Sequence, residues 1–542
     1  MLAVSLLAYL GSGGEFKIAL TTVVDVCSFG RGRETRRVGA AVSVKDRNFA
    51  GFVATALVVV AASCGSGSYS NSVSNPPPVL NPPANVPLVK LSTDTFTNST
   101  SQHATEVEPD SLSVGSTIVS AFQVGRSPGS SGGSSDIGFA VSTDAGATWT
   151  NGFLPGITTF QGGGVNDTVS DAAVAYDAKH GVWLISSLPI SATNIQVVVS
   201  RSTDGGTTWS TPILLSQGPG LDKDWVTCDN NSASPFYGNC YSEWDDNGNG
   251  DLIWMSVSND GGLTWAAPVT PAGAANGLGG EPLVRSDGAV IVPFLADAFE
   301  IESFSSTDGG ATWSAPLVVS PIVAFPDSGG IRSGPLPSAA MDAANNVYVV
   351  WEDCSFRANC SSNDLVISTS ADGLSWTAPA RIPIDAINST VDHFIPGLGI
   401  DPATSGATAH LGLTYYYYPQ ANCTAVTCAL YVGFISSLDG GSTWSAATPI
   451  AGPMSLSWLP STFSGQMVAD YISTSFAGGK AYGFFAVAKA KSGTTFYQAI
   501  YTTQSGLDLA AAQGRFSSAE EVPVPLKSNS RQSNMHATRR IR

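Results

Sequence analysis

Polar side chains recur at one place in a repeated pattern along this 542-residue chain. The segments EPDSLSVG (108–115), VSDAAVAYD (169–177), DKDWVTCD (222–229), GEPLVRSDG (280–288), GPLPSAAMD (334–342), HFIPGLGID (393–401) and SGQMVADY (464–471) each set polar residues ahead of, or within, a short apolar run. Asp171, Asp224, Glu281, Arg332 and Asp392 are the candidate catalytic residues. Two carboxyl groups can divide acid and base roles across a glycosidic bond, and a guanidinium can grip a carboxylate bidentately. Glu108, Asp110, Asp222, His393 and Asp470 stand at equivalent positions, and Glu243, Glu352, Asp353 and Arg357 fall on neighbouring loops. A single acid in such a place is ordinarily a solvated turn residue. Chemistry requires that the fold bring several together.

A second repeat says how it could. The boxes are STDAGATW (142–149), STDGGTTW (202–209), SNDGGLTW (258–265), STDGGATW (306–313), SADGLSW (370–376) and SLDGGSTW (437–444). Their acids are Asp144, Asp204, Asp260, Asp308, Asp372 and Asp439, and their closing rings are Trp149, Trp209, Trp265, Trp313, Trp376 and Trp444. Ser and Asp side chains accept from turn amides, Gly supplies positive φ, and Trp returns to an apolar layer and is expected to be buried there. One catalytic residue repeated six times makes no sense around one site, so the box is scaffolding. Self-similarity at about fifty residues, with several short strands per unit, signals a β-propeller. The expected fold is all-β, a β-propeller of four-stranded antiparallel blades. The seventh unit, 464–503, lacks a box and an outer strand, and VPLVKLS (86–92) resembles the missing strand APLVVSP. Seven blades are therefore favoured over six, with an N-terminal strand closing the last blade and hiding an open edge.

These boxes resemble the Asp boxes, or bacterial neuraminidase repeats, of the sialidase superfamily, and the resemblance spans 87–505. It implies a site on the face that gathers the loops entering the inner strands. It also implies an arginine triad, a Tyr–Glu nucleophile couple and an Asp acid/base. The family's Phe-Arg-Ile-Pro motif is missing ahead of the first box. The sole Arg-Ile-Pro, Arg381-Ile382-Pro383, follows the fifth box. Between 87 and 505 the only arginines are 126, 201, 285, 332, 357 and 381. A sialate clamp would consume nearly all that could converge. The expected function is an exported sialidase-like propeller acting on extracellular glycans, with exo-α-sialidase-like hydrolysis as its enzymatic form. The alternative is a non-catalytic propeller that binds glycans or proteins on the cell surface.

Composition supports export. The net charge is −17, with basic residues concentrated at the two ends, so the body repels phosphate backbones and nucleic acid is not an expected partner. The run 49–68 has the length of a secretory h-region rather than a membrane span, and carries AASC near its end. It resembles a lipoprotein signal with Cys64 as the lipidated residue, so the membrane is expected only through that anchor. The organisation expected is a leader at 1–63, a Ser/Gly/Pro-rich tether at 64–86, the propeller at 87–505 and a partly disordered tail at 506–542. Cys228 with Cys240, Cys354 with Cys360 and Cys423 with Cys428 read as three local disulfides. DDNGNGD (245–251) sets Asp245, Asn247, Asn249 and Asp251 in a calcium-loop pattern whose twelfth position is Ser256 rather than Glu. No cofactor is required, and calcium is the cation this loop suggests. The partner expected is a glycan or glycoprotein, met by a monomer. The run YYYY (415–418) reads mainly as packing, because alternate rings on a strand face opposite sides.

Overall fold

The computed structural model describes residues 83–128 and 132–510, together with the backbone of three N-terminal strands. Those strands, Leu2–Leu10, Phe16–Val24 and Arg37–Ser43, form an antiparallel sheet of their own. Cys64, the export run, the tether to residue 82 and the tail beyond 510 lie outside the described residues.

From residue 83 the chain is an all-β propeller of antiparallel sheets. Val107–Val114, Thr117–Arg126, Ser134–Ser142 and Thr150–Phe153 pair in succession. One bridge, Ser134 to Val169, joins them to Thr168–Asp177, Val182–Ser191, Asn194–Ser202 and Ile213–Gly218. Leu221–Cys228, Cys240–Asp246 and Leu252–Ser258 follow. Next come Leu283–Val284 and Gly277–Leu278 on Val290–Ala296, then Glu300–Ser306 and Leu317–Pro321. The four-stranded sheets beginning at Ser338–Met341 and Asp392–Ile400 continue the order. In the last sheet Ser473–Ala477, Lys480–Ala488 and Gln498–Thr503 are completed by Leu88–Lys90 from the other end, with Lys90 opposite Tyr501. The edge that Gln498–Thr503 would leave open is thereby paired.

The box turns hold as sequence reasoning expects. In the second, Ser202 Oγ donates to Asp204 Oδ1 at 2.8 Å and accepts from Gly206 N at 2.9 Å. Thr208 closes the turn on the same carboxylate, its amide on Oδ1 at 2.9 Å and its hydroxyl on Oδ2 at 2.6 Å. Those donors hold Asp204 down at about 2. Gly206 has φ +87°, and a Cβ there would meet Val119 of the preceding sheet at 2.8 Å. Trp209 Nε1 donates back to Gly206 O at 3.0 Å while the ring packs on Phe139. Each box thus fastens one sheet to the one before.

The box rings are not equally buried. Trp209, Trp313 and Trp444 are buried, whereas Trp149, Trp265 and Trp376 are only half-buried. Trp444 and Trp149 repeat the bond of Trp209, donating from Nε1 to Gly441 O at 3.0 Å and to Gly146 O at 3.1 Å. Trp149 stands edge-on to Phe484 of the last sheet, with centroids 6.0 Å apart. Trp265 lies against the cluster of Ala173, Val182 and Leu184, and Trp376 against that of Ile291, Leu295 and Val347. These rings ride on turns at the rim of the sheets. One face of each covers apolar surface.

Side chains of the innermost strands fasten neighbours near the axis. Asp110 Oδ2 accepts from Val174 N and Glu281 Oε2 from Ala339 N, each at 2.7 Å, and Ser338 Oγ accepts from Leu398 N at 3.0 Å. Ser111 Oγ lies 2.8 Å from the hydroxyls of Ser473 and Ser475, which joins the first inner strand to the last. The predicted disulfides Cys228–Cys240, Cys354–Cys360 and Cys423–Cys428 are all formed, as suits an oxidising environment. Of the four tyrosines, Tyr415, Tyr416 and Tyr418 are buried, and Tyr417 stacks on Tyr431 at 5.2 Å.

Candidate functional site

Four inner-strand residues sit at β-bulges with left-handed backbone: Glu108 (φ 52°), Asp171 (φ 44°), Lys223 (φ 48°) and Ile395 (φ 50°). For a residue with a Cβ this conformation costs of order 1–3 kcal/mol, and a bulge re-aims its side chain. Three of the four are charged, and all three meet. Lys223 Nζ lies 3.3 Å from Asp171, 3.2 Å from Asp470 and 3.8 Å from Glu108, and 4.6 Å above the Tyr471 ring. Tyr471 is itself fixed, its hydroxyl accepting from Ala172 N at 2.8 Å. One ammonium therefore gathers carboxylates from three other places in the chain.

Arg332 arrives on the loop between Leu317–Pro321 and Ser338–Met341. Its amide donates to Gln466 O at 2.7 Å, and its guanidinium grips Asp470 through Nε at 2.7 Å and through Nη2. Burial alone would raise the Asp470 carboxyl, but Arg332 and Lys223 hold it well below the usual carboxylate range. Glu108 goes the other way, to about 8, because its burial outweighs the charge of Lys223. Burial and the neighbouring charge of Asp171 bring Asp222 to about 6. Burial and the charge of Arg332 bring Arg126 down to about 10.

Beside this network opens a cavity of about 940 Å³, whose wall includes Arg126, Asp171, Asp222, Asn247, Asp251, Arg332 and the half-exposed ring of Phe463. Phe463 lies between the short paired strands Ser461–Thr462 and Gly465–Gln466. Gln102 anchors that hairpin, donating to Ser461 O at 2.8 Å and accepting from its amide at 3.1 Å. A space of this size, apolar in part and rimmed by a few fixed polar groups, is the usual form of a ligand site.

Of the five candidate catalytic residues, Asp171 and Arg332 come together on this wall. Asp224 is buried close by, its carboxyl pushed well up by burial and by Asp171. Glu281 is spent on the Ala339 amide and lines a smaller cavity of about 300 Å³ between the inner strands. Asp392 accepts from Asn363 N at 2.7 Å in a separate buried group with Asp327 and Glu352. Asp353 fixes a loop by accepting from Ser355 N at 2.6 Å and Val323 N at 3.0 Å. Arg357 is fully enclosed, with Nε on Asp364 at 2.8 Å and Nη2 on Asp385 at 2.8 Å. The residues expected on one face thus fall into a cavity group, a set of ties between strands and a second buried cluster.

Asp364, Asp385 and His393 bring ligand atoms within 4.8 Å of one another. The guanidinium groups of Arg357 and Arg381 already supply the positive charge there. In the suggested calcium loop, Asn247–Asn249 closes as a 3₁₀ turn capped by Asp246, whose side chain accepts from Gly248 N at 3.0 Å. Asp245 turns inward and is buried, Asn249 is exposed, and Asp251 reaches the cavity wall. Sequence reasoning missed Lys223 and Phe463. The one available signal for Lys223 was a lysine set between two acids in an acid-rich body.

Residues 115–348 match the family described as a BNR repeat-like domain. No curated protein matches the chain. Among solved structures it is similar to a Trypanosoma rangeli sialidase in complex with sialic acid, at 13% identity and a TM-score of 0.42, covering 77% of this chain and 58% of that one. An ulvan lyase bound to its saccharide is similar at 12% identity and a TM-score of 0.45, over 81% of this chain and all of that one. A Dyadobacter fermentans protein of unknown function matches at 15% identity and a TM-score of 0.40, over 65% of this chain and 99% of that one. At such identities nothing about chemistry carries across.

Proposed function

We propose that this chain is an exported, sialidase-like propeller of seven blades that acts on extracellular glycans by holding a saccharide segment in the cavity beside Asp171 and Arg332. The observation that carries the reading is that cavity: about 940 Å³, with fixed acids and guanidinium groups on one wall and the exposed ring of Phe463 on its lining. Such a ring offers a sugar a flat apolar surface, and the charged groups offer its hydroxyls both donors and acceptors. The saccharide is neutral. Arg332 is spent on Asp470, Arg126 donates to Gly133 O, and Asp171, Asp222 and Asp251 face the same space, so an anionic sugar would meet more repulsion than grip.

Binding without turnover is the first form of this reading, because each charge at the centre of the network is already matched by another. Hydrolysis is the second, and one feature favours it. Asp222, at about 6, is a proton donor in reach of neutral pH, with Asp171 as a second carboxylate on the same wall. Titration of the purified protein with neutral and sialylated oligosaccharides, with chromatography of the mixtures, separates these cases. The expected result is binding of neutral glycans that Asp171→Asn and Phe463→Ala each weaken about tenfold or more, in line with the loss of one good contact. Product that disappears in Asp222→Asn would establish the hydrolase. Failure of every neutral glycan to bind would end the glycan reading.

A further inference from the structure

We infer that the acids gathered round Asp245 form a site for a divalent cation, calcium by its chemistry, at the edge of the cavity. Asp245 and Asp222 are direct partners across the antiparallel ladder of Leu221–Cys228 and Cys240–Asp246. Partners in such a ladder present their side chains on one face with Cβ atoms about 4.5–5.5 Å apart, and like charges so placed repel. Asp245 is 1% exposed, and neither of its carboxylate oxygens has a hydrogen-bond partner among the described residues. Glu243, two residues earlier and so on the same face, is also fully buried. Asp222, Asn247 and Asp251 continue the group onto the cavity wall, and Asn247 Nδ2 donates to Asp222 Oδ2 at 3.1 Å.

Among the described residues no side-chain cation is paired with Asp245. Lys223 is shared among Glu108, Asp171 and Asp470, and among the described residues no lysine or arginine pairs with Asp245. A proton would remove the charge but leave a carboxylic acid with no acceptor for its O–H and no donor for its carbonyl, an arrangement buried polar groups rarely adopt. A metal ion satisfies several oxygens at once. The donors are carboxylates and an amide, without thiol or imidazole, which selects a hard cation. Calcium accepts six to eight oxygens in flexible geometry, whereas magnesium demands a tight octahedron. The cluster at Asp364, Asp385 and His393 makes the contrast. There the oxygens are drawn close because two guanidinium groups neutralise them. Asp245 has no such guanidinium partner among the described residues.

The inference does not depend on the glycan reading, since the probe is the metal alone. It does bear on the hydrolytic form, because a bound cation would hold Asp222 as a carboxylate and remove it as an acid. The test is calorimetric titration of the EDTA-stripped, purified protein with calcium chloride and magnesium chloride, with thermal unfolding in each. Saturable calcium binding is expected, with a Tm raised in calcium more than in magnesium. Asp245→Asn, and independently Asp251→Asn on the wall, should each weaken calcium binding about tenfold or more through the loss of ligand charge. Absence of saturable calcium binding in the unsubstituted protein overturns the site. Calcium binding left unchanged by both substitutions overturns its location. Loss of glycan binding with calcium binding intact would count against the functional reading only.

Discussion

Lys223 shows how one residue can hold a site together and remain almost invisible in sequence. Its nearest carboxylates come from positions far along the chain, Asp171 being 52 residues away, so no local pattern announces the contact. The Asp470 partner of Arg332 is 138 residues away and was equally illegible. Lys223→Met should strand Asp171 beside Glu108 in a buried space and leave Asp470 to Arg332 alone, at a cost of about 3–5 kcal/mol that chemical denaturation would read. An unchanged midpoint would mean the network carries little stability. The buried acids make a second, pH-dependent prediction. Burial raises Asp110 to about 7 and both Glu106 and Glu281 to about 8. Folding therefore tightens proton binding relative to unfolded values near 4. Their stabilising contribution is complete below about pH 4 and is lost as pH rises through 7–8. In EDTA, Tm should fall between pH 5 and 8.5, and Glu281→Gln should flatten part of that slope. A Tm that climbs over the interval would contradict the assignment.

At the scale of elements, the box was legible because its hydrogen bonds are internal. Ser306, Asp308, Gly310 and Thr312 satisfy one another within one turn, so residue types and spacing suffice to specify it. How deeply each ring sinks was not legible, since Trp313 is buried and Trp265 half-buried at the end of nearly the same octapeptide. The bulges were hidden too, because nothing in VSDAAVAYD or DKDWVTCD requires a positive φ at a charged residue. The buried box tryptophans should carry more energy than the turns that deliver them. Trp313 meets Tyr241 and Phe304 edge-on at 6.2 and 5.6 Å. Trp313→Ala should cost about 3–5 kcal/mol, the usual penalty for emptying so large a space. A loss below about 1 kcal/mol in a urea titration would show that the neighbouring sheets close over the gap.

For the whole molecule, the decisive feature is the pairing of Leu88–Lys90 with Gln498–Thr503, which the likeness of VPLVKLS to the other outer strands made readable in advance. Beside it, Leu91 N donates to Ile500 O at 2.8 Å, and Ser92 Oγ accepts from Ile500 N at 2.8 Å. Leu91→Pro removes that donor and should lower Tm and expose a strand edge that recruits other copies. Light scattering after size exclusion would detect the association, and a monomer of unchanged Tm would refute the prediction. Synthesis adds a further consequence. Ser92 and Ile500 stand 408 residues apart, and the earlier one is made first. At about 5–20 residues per second, that segment waits roughly 20–80 s for its mate. The ring is a clasp that no nascent chain can fasten, and a ribosome stalled short of residue 498 releases a protein with its last sheet unsealed.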